Sequence, residues 1–454
     1  MASGGIARDA RIVIVGAGAA GLCTAWYLKQ AGFYNVKVLE RSPRLGGKCR
    51  SLTVNGQSFD LGANYITSAY TRVRELAAHV GATMYTEKPG HAINAKSGHV
   101  RSILAEVLKN TTLFTLAGQA IRYLWKRWRI RHLLTPYRPG FGHVQEHPEL
   151  KGSFADWLDR NGLADLHQMV EVPLTLMGYG KLENIPAAYA LTYMSPKTFK
   201  DLGLFAANFP LRGWPKRFTQ GYGRMFERLA AEVNVLTGVK NLRIERGASI
   251  RVDYDVQVQQ LERKIEEHET EYFDYLVVAC PQVLEVVEPF LDLDPVERRL
   301  FGQVVYNPFY VTTYTAPGTR EISAVTFSMN DPQVGHPYVV TRQYPENDFI
   351  SVYSRGDRAQ SIGRPEILEN NRRFLAAITD KDPTAHPSLC DDWAYFPHVP
   401  VDVFDAGFYG ELEALQGQRR TFYTGGLLAF ELVETIAEYS HGLVQQHFVG
   451  RGNA

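Results

Sequence analysis

At 454 residues the chain exceeds one ordinary core, and a prior of roughly 150 residues per domain suggests two or three lobes, of which we read two. A composition of 45% hydrophobic and 21% charged residues with a formal net charge of +1 is that of a soluble globular protein, and nothing global points to nucleic acid. Four scattered cysteines, Cys23, Cys49, Cys280 and Cys390, make no CxxC or Cys/His ligand spacing and are too few to staple the chain, so a disulfide scaffold is excluded and a reduced, cytoplasmic protein without a metal site is expected.

The first ten residues lack the hydrophobic stretch of a signal peptide, and no later segment has the roughly 18 apolar residues needed to cross a bilayer. Residues 11–40 then read as strand, glycine turn, helix and strand. The run Ile12 to Val15 is short and β-branched, as in a buried parallel strand. Gly16, Gly18 and Gly21 follow as GxGxxG, opening a helix that carries Leu22, Ala25, Trp26 and Leu28. Gly16 permits the tight turn, Gly18 lets backbone approach a pyrophosphate, and Gly21 lets helix and strand pack closely. The phosphates then meet free N–H groups and the positive end of the helix dipole, with Ala19 and Ala20 in its first turn. Glu40 stands nineteen residues after Gly21, where a carboxylate accepts from ribose hydroxyls and repels a 2′-phosphate. Three glycines alone would equally punctuate a loop; strand, helix and Glu40 together distinguish a dinucleotide site.

The next segments, RSPRLGGKCR at 41–50 and FDLGANY at 59–65, resemble the flavin-containing amine oxidase and phytoene desaturase superfamily. The resemblance implies FAD, with Arg41, Gly46, Gly47 and Lys48 along the pyrophosphate and flavin, and with Gly62, Ala63 and Asn64 close to the isoalloxazine. It also implies an α/β fold with an α+β substrate lobe: a Rossmann-like FAD-binding domain of the amine-oxidase type assembled from residues 1–80, 218–285 and 415–454, and an inserted substrate-binding and cap domain formed by 81–217 and 286–414.

Within the first insertion, residues 107–145 hold no acid but include Lys109, Arg122, Lys126, Arg127, Arg129, Arg131 and Arg138. Helical spacing between 121 and 133 puts Ile121, Leu124, Trp125, Trp128 and His132 on one face and the basic groups on the other. One reading is a cap helix whose aromatic face packs on the substrate lobe. The other is peripheral membrane contact, a lid taking up an amphiphilic substrate from a bilayer. Ser153 followed by Asp156 reads as a capping-box start to a helix. The charged run after Val256 reads as a solvated excursion between strands.

Toward the C-terminus, the strand YFDYLVVACP at 272–281 and the segment RTFYTGGL at 420–427 continue the resemblance. They imply an adenine-side strand around Ile250 and Val252, with Val252 a contact, a glycine, Gly425, facing the flavin, and a helix from about Glu434 with its N-terminus near the ring. With no cysteine after Cys390, the flavin is expected to be non-covalent.

A narrower likeness covers most of the chain. The segments GYGKLENIPAAY at 178–189, YFPHV at 395–399, QRRTFYTG at 418–425 and EYSH at 438–441 resemble the bacterial polyenoic fatty acid isomerases. These imply an enzyme that takes a hydride from a doubly allylic carbon at flavin N5 and returns it elsewhere, acting on a small apolar or amphiphilic substrate. Tyr65, Tyr179, Tyr193 and Phe430 are the candidates for an aromatic lining, with core packing as the plain alternative for each; no side chain is assigned as catalytic, and His398 reads as structural. Two departures stand out: His91 occupies the place of an arginine that holds the substrate carboxylate, and Gln303 that of the amine-oxidase lysine. The competing reading is an FAD-dependent oxidase or desaturase of an apolar or amine substrate, and a third is a flavin-binding protein without turnover.

Overall fold

The first strand, β1 (Ile12–Val15), is buried on every side chain, as the four-residue β-branched run requires. It pairs in parallel with β2 (Val36–Glu40), which pairs in turn with β3 (Asn234–Thr237). On its other side β1 meets β4 (Tyr275–Val278), and β4 meets β5 (Thr421–Tyr423), again in parallel. The resulting order, β5-β4-β1-β2-β3, makes β1 the strand at which the chain switches direction across the sheet. In open parallel sheets ligands bind beyond the carboxyl ends of the strands at such a point. Helix α1 (Ala19–Gln30) begins there and buries nine of its residues.

These features belong to a computed structural model that describes residues 5–88, 90–93, 100–175, 177–209, 213–260, 263–316, 326–328, 333–344, 346–356, 360, 362–378 and 389–450. A second sheet of seven strands runs in the order Leu389–His398, Val305–Thr315, Phe349–Arg355, Pro337–Thr341, Thr326–Ser328, His91–Ile93, Val100–Ser102. It is antiparallel except where Thr326–Ser328 lies along His91–Ile93. The charged run after Val256 belongs to a hairpin: Ile250–Gln260 and Arg263–Phe273 pair in register, and Lys240–Arg246 completes a three-stranded sheet.

The helix predicted from Ser153 spans Phe154–Arg160, and the full capping box forms: Asp156 N–H donates to the Ser153 hydroxyl oxygen, and the Asp156 carboxylate accepts from the Ser153 backbone. Helix α2 (Leu113–Arg129) departs from expectation. Leu116, Tyr123 and Arg127 face the protein, while Ile121, Trp125 and Trp128 are exposed, so the cap-helix reading, with its aromatic face packed inward, does not hold. Tyr123 wins the inward face because its ring stacks on Phe199 at 4.4 Å and its hydroxyl donates to the Met194 carbonyl at 2.6 Å. Helix α3 (Val433–Leu443) closes the fold against α1.

Candidate active site

A cavity of about 940 Å³ opens at the carboxyl ends of β1 and β2 and runs into the space between the two sheets. That volume lies at the upper end of the roughly 300–1,000 Å³ typical of small-ligand sites.

One end is built for a dinucleotide. Gly16, with φ +106°, turns the chain out of β1, and Gly18, Ala19 and Ala20 line the cavity at the start of α1. That helix start has no side-chain cap and no acid in its first turn, which leaves its N–H groups for an anion. The Glu40 carboxylate accepts from the N–H groups of Ala17 and Ser42, each at 2.8 Å, and is thereby fixed at the cavity wall. Arg41, Gly46 and Gly47 line the same stretch, joined by Arg44, Lys240 and Arg243, cations that complement a pyrophosphate, while Lys48 lines the cavity with its ammonium over the Tyr395 ring at 5.6 Å. Gly21 does not line it. A Cβ there would sit 1.8 Å from the Gly16 carbonyl oxygen, so its role is the contact between helix and turn.

Two expected contacts are corrected. Val252 is fully buried, paired with Ile244, and outside the cavity; residues Val239 to Arg243 of the adjacent strand take its place on the wall. Glu434 is in the first turn of α3, yet its carboxylate accepts from Thr71, Arg72 and Val73 N–H at 2.6, 3.0 and 2.9 Å, capping the neighbouring helix Arg72–His79. Leu432, Val433 and Ile436 face the cavity instead. The start of α3 has no side-chain cap of its own.

At the other end Gly62, Ala63, Asn64 and Gly425 line the cavity. A Cβ on Gly62 would lie 1.8 Å from the Lys48 carbonyl oxygen and 3.0 Å from Trp393, so only glycine lets these walls meet. Tyr65, Tyr179 and Tyr193 also line it, with Tyr395 and Trp393. Phe430 does not: it is buried behind them, stacked on Tyr179 at 4.7 Å and on Tyr193 at 5.9 Å. Burial pushes the hydroxyls of Tyr65, Tyr179, Tyr193 and Tyr395 above their ordinary range, so they stay protonated. The Cys280 thiol, also on the wall, is pushed up to about 12 by burial and is not a thiolate.

Sequence reasoning missed Glu431, whose carboxylate is ion-paired with Lys48 and accepts from the Phe396 N–H. It also missed Arg217. This fully buried arginine is ion-paired with the equally buried Glu87 and donates to the Tyr65 hydroxyl at 3.1 Å. His91 lies on the strand His91–Ile93, between Thr326–Ser328 and the edge strand Val100–Ser102, Gln303 follows the helix Pro295–Gly302, and neither lines the cavity. His398 is buried and engages the Phe396 carbonyl at 2.6 Å.

Two small chambers, of about 40 and 30 Å³, open beside Tyr65 and Met177, residues that line all three spaces. Ile103, Met169, Val172, Phe199, Leu202 and Phe205 wall one; Leu61, Phe309, Val339, Tyr353 and Trp393 wall the other. Among the described residues no Asp, Glu, Lys, Arg or His lines either.

Residues 19–394 match the family of flavin-containing amine oxidoreductases. The FAD-dependent oxidoreductase dpchF of Colletotrichum higginsianum is 24% identical over 96% of this chain and 92% of its own. The crystal structure of a CLA-producing fatty acid isomerase from P. acnes superposes with a TM-score of 0.81 at 25% identity, covering 98% of this chain and 100% of that one. Cyclohexylamine oxidase from Brevibacterium oxydans shares the fold, with a TM-score of 0.64 at 17% identity over 96% and 98% of the two chains. The chain belongs to the flavin-containing amine oxidoreductase family, and FAD is its cofactor.

Proposed function

We propose that the protein is an FAD-dependent double-bond isomerase acting on an unsaturated fatty acid or a similar apolar polyene. The observation that carries this reading is the aromatic end of the main cavity, lined by Tyr65, Tyr179, Tyr193, Trp393 and Tyr395 and extended at Tyr65 and Met177 into two small charge-free recesses, which suits a hydrocarbon lying across a redox ring. The full-length likeness to a fatty acid isomerase supports it.

Bound FAD supplies a hydride acceptor that can also give the hydride back, so a double bond can move without net oxidation. In this reading residues 1–80, 218–285 and 415–454 hold the cofactor, and 81–217 with 286–414 hold the substrate. Gly16, Gly18, Ala19, Ala20, Gly46 and Gly47 offer backbone to the pyrophosphate, Glu40 the ribose contact, and Arg41 a countercharge. Gly62, Ala63, Asn64 and Gly425 bring backbone to the ring. Tyr65, Tyr179 and Tyr193 present aromatic faces where positive charge develops on the substrate. Their protonated hydroxyls take no proton, and the apolar chamber walls exclude water.

The second reading, an oxidase or desaturase, is favoured by the match to FAD-dependent oxidoreductases over 96% of the chain. Anaerobic incubation of the holoenzyme with linoleate in deuterated water separates the two. A conjugated product without deuterium, formed while the flavin ends oxidised, is the isomerase result; lasting flavin bleaching without isomer assigns the oxidase or desaturase.

A further inference from the structure

Helix α2 presents to solvent a stripe that most globular helices bury. Phe114 is 94% exposed, Ile121 69%, Trp125 50% and Trp128 55%. Their spacing of 7, 4 and 3 residues places them on one line along the helix. Tyr137, just beyond the helix, is exposed as well. Single exposed apolar residues are ordinary, but an aligned aromatic run marks an interaction surface.

The cations beside the stripe narrow the partner. Arg131 lies over the Trp128 ring at 4.3 Å, and Arg129 and Lys126 lie over Trp125 at 4.9 and 5.7 Å. The segment 107–145 contributes no carboxylate. A second copy of the chain meeting this face about a two-fold axis would set cation against cation. An anionic bilayer surface meets both halves of the pattern: tryptophans lodge at the headgroup boundary, and nearby Lys and Arg are attracted to the lipid phosphates.

The other side of α2 packs against residues that wall a chamber. Tyr123 stacks on Phe199 and donates to the Met194 carbonyl, and Phe199 and Met194 both line the charge-free chamber that Tyr65 joins to the main cavity. From these relationships we infer that α2 docks the protein on anionic lipid bilayers, with Phe114, Ile121, Trp125 and Trp128 inserted and Lys126, Arg129 and Arg131 at the phosphates. Docking by this face sets the helix that backs the chamber wall against the phase in which an apolar substrate dissolves.

Flotation of the FAD-loaded protein with vesicles of equal parts phosphatidylcholine and phosphatidylglycerol tests this directly. The protein floats with these vesicles and binds about tenfold less to phosphatidylcholine alone or in molar salt. The double variant Trp125→Ser/Trp128→Ser loses about tenfold or more, while its flavin content and melting temperature stay those of the parent, because both side chains lie outside the core. Three outcomes overturn the inference: no flotation with either vesicle, flotation that the double variant retains, or a concentration-dependent dimer that the double variant dissolves. Binding is read without turnover, so its failure leaves the isomerase reading untouched, and the reverse also holds.

Discussion

The Arg217 guanidinium lies 4.6 Å above the ring of Tyr65 and donates to its hydroxyl, while its own charge is balanced by Glu87 out of reach of water. Tyr65 is thus braced from behind at the point where the three cavities meet. Removing one member of a buried pair leaves an uncompensated charge, so Arg217→Met costs about 3–5 kcal/mol of stability. Glu87→Gln combined with Arg217→Met recovers part of that loss, since neither charge then remains. Urea denaturation of the three proteins reads the difference; a double variant no more stable than the single one contradicts the pairing.

Gly18 and Gly21 belong to one motif but fail in different ways. A Cβ on Gly18 meets nothing nearer than the Gly47 Cα at 3.9 Å, so Gly18→Ala folds, and its methyl occupies the space expected for the pyrophosphate. Gly21→Ala drives a methyl to 1.8 Å from the Gly16 carbonyl oxygen and does not give a native fold. Purified Gly18→Ala is therefore expected as a folded protein whose FAD affinity falls by about tenfold or more, roughly 1.4 kcal/mol. Circular dichroism with flavin absorbance separates the two, and a yellow Gly18→Ala of normal affinity would move the phosphate site elsewhere.

The parts of the site legible in sequence are those where local backbone geometry dictates residue type. Gly16 at positive φ, Gly21 against the Gly16 carbonyl and Gly62 against the Lys48 carbonyl admit no other side chain, and they read off the chain as punctuation. What stayed hidden depends on distant partners. Lys48 and Glu431 are separated by 383 residues, and Arg217 and Glu87 by 130. The resemblance implies Val252 as a contact, but a likeness along one strand does not reveal which strand of an antiparallel sheet reaches the cavity; Val239 to Arg243 do. Glu434 sits at the predicted helix start, but its carboxylate finds three N–H groups on another helix. On α2 the periodicity was readable and its direction was not, since Tyr123 and Arg127 supply an alternative buried face.

Met177 lines every chamber, so enlarging it closes the junction without touching the dinucleotide end. Met177→Trp is expected to bind FAD normally while its turnover of linoleate falls by at least about tenfold, as the indole fills the junction where substrate would lie. Steady-state kinetics normalised to flavin content check this. Unchanged kcat/KM on linoleate would place the substrate outside these chambers.

Glu413 gives the fold a pH response independent of the active site. Burial pushes its carboxyl from the usual 4.5 up to about 7, although the Tyr439 hydroxyl donates to it at 2.9 Å. The folded protein therefore holds this proton more tightly than the unfolded chain does. The stabilisation is complete below about pH 4.5, declines as pH rises, and is gone above about pH 7. At pH 8 the native state carries a buried carboxylate that Glu413→Gln lacks, so the variant is more stable there by up to about 3 kcal/mol. Near pH 4.5 the two proteins converge, because the native carboxyl is then neutral too. Thermal or urea unfolding across this range measures the gap: it should widen with rising pH, and a constant offset would mean that Glu413 keeps an ordinary carboxylate pKa in the fold.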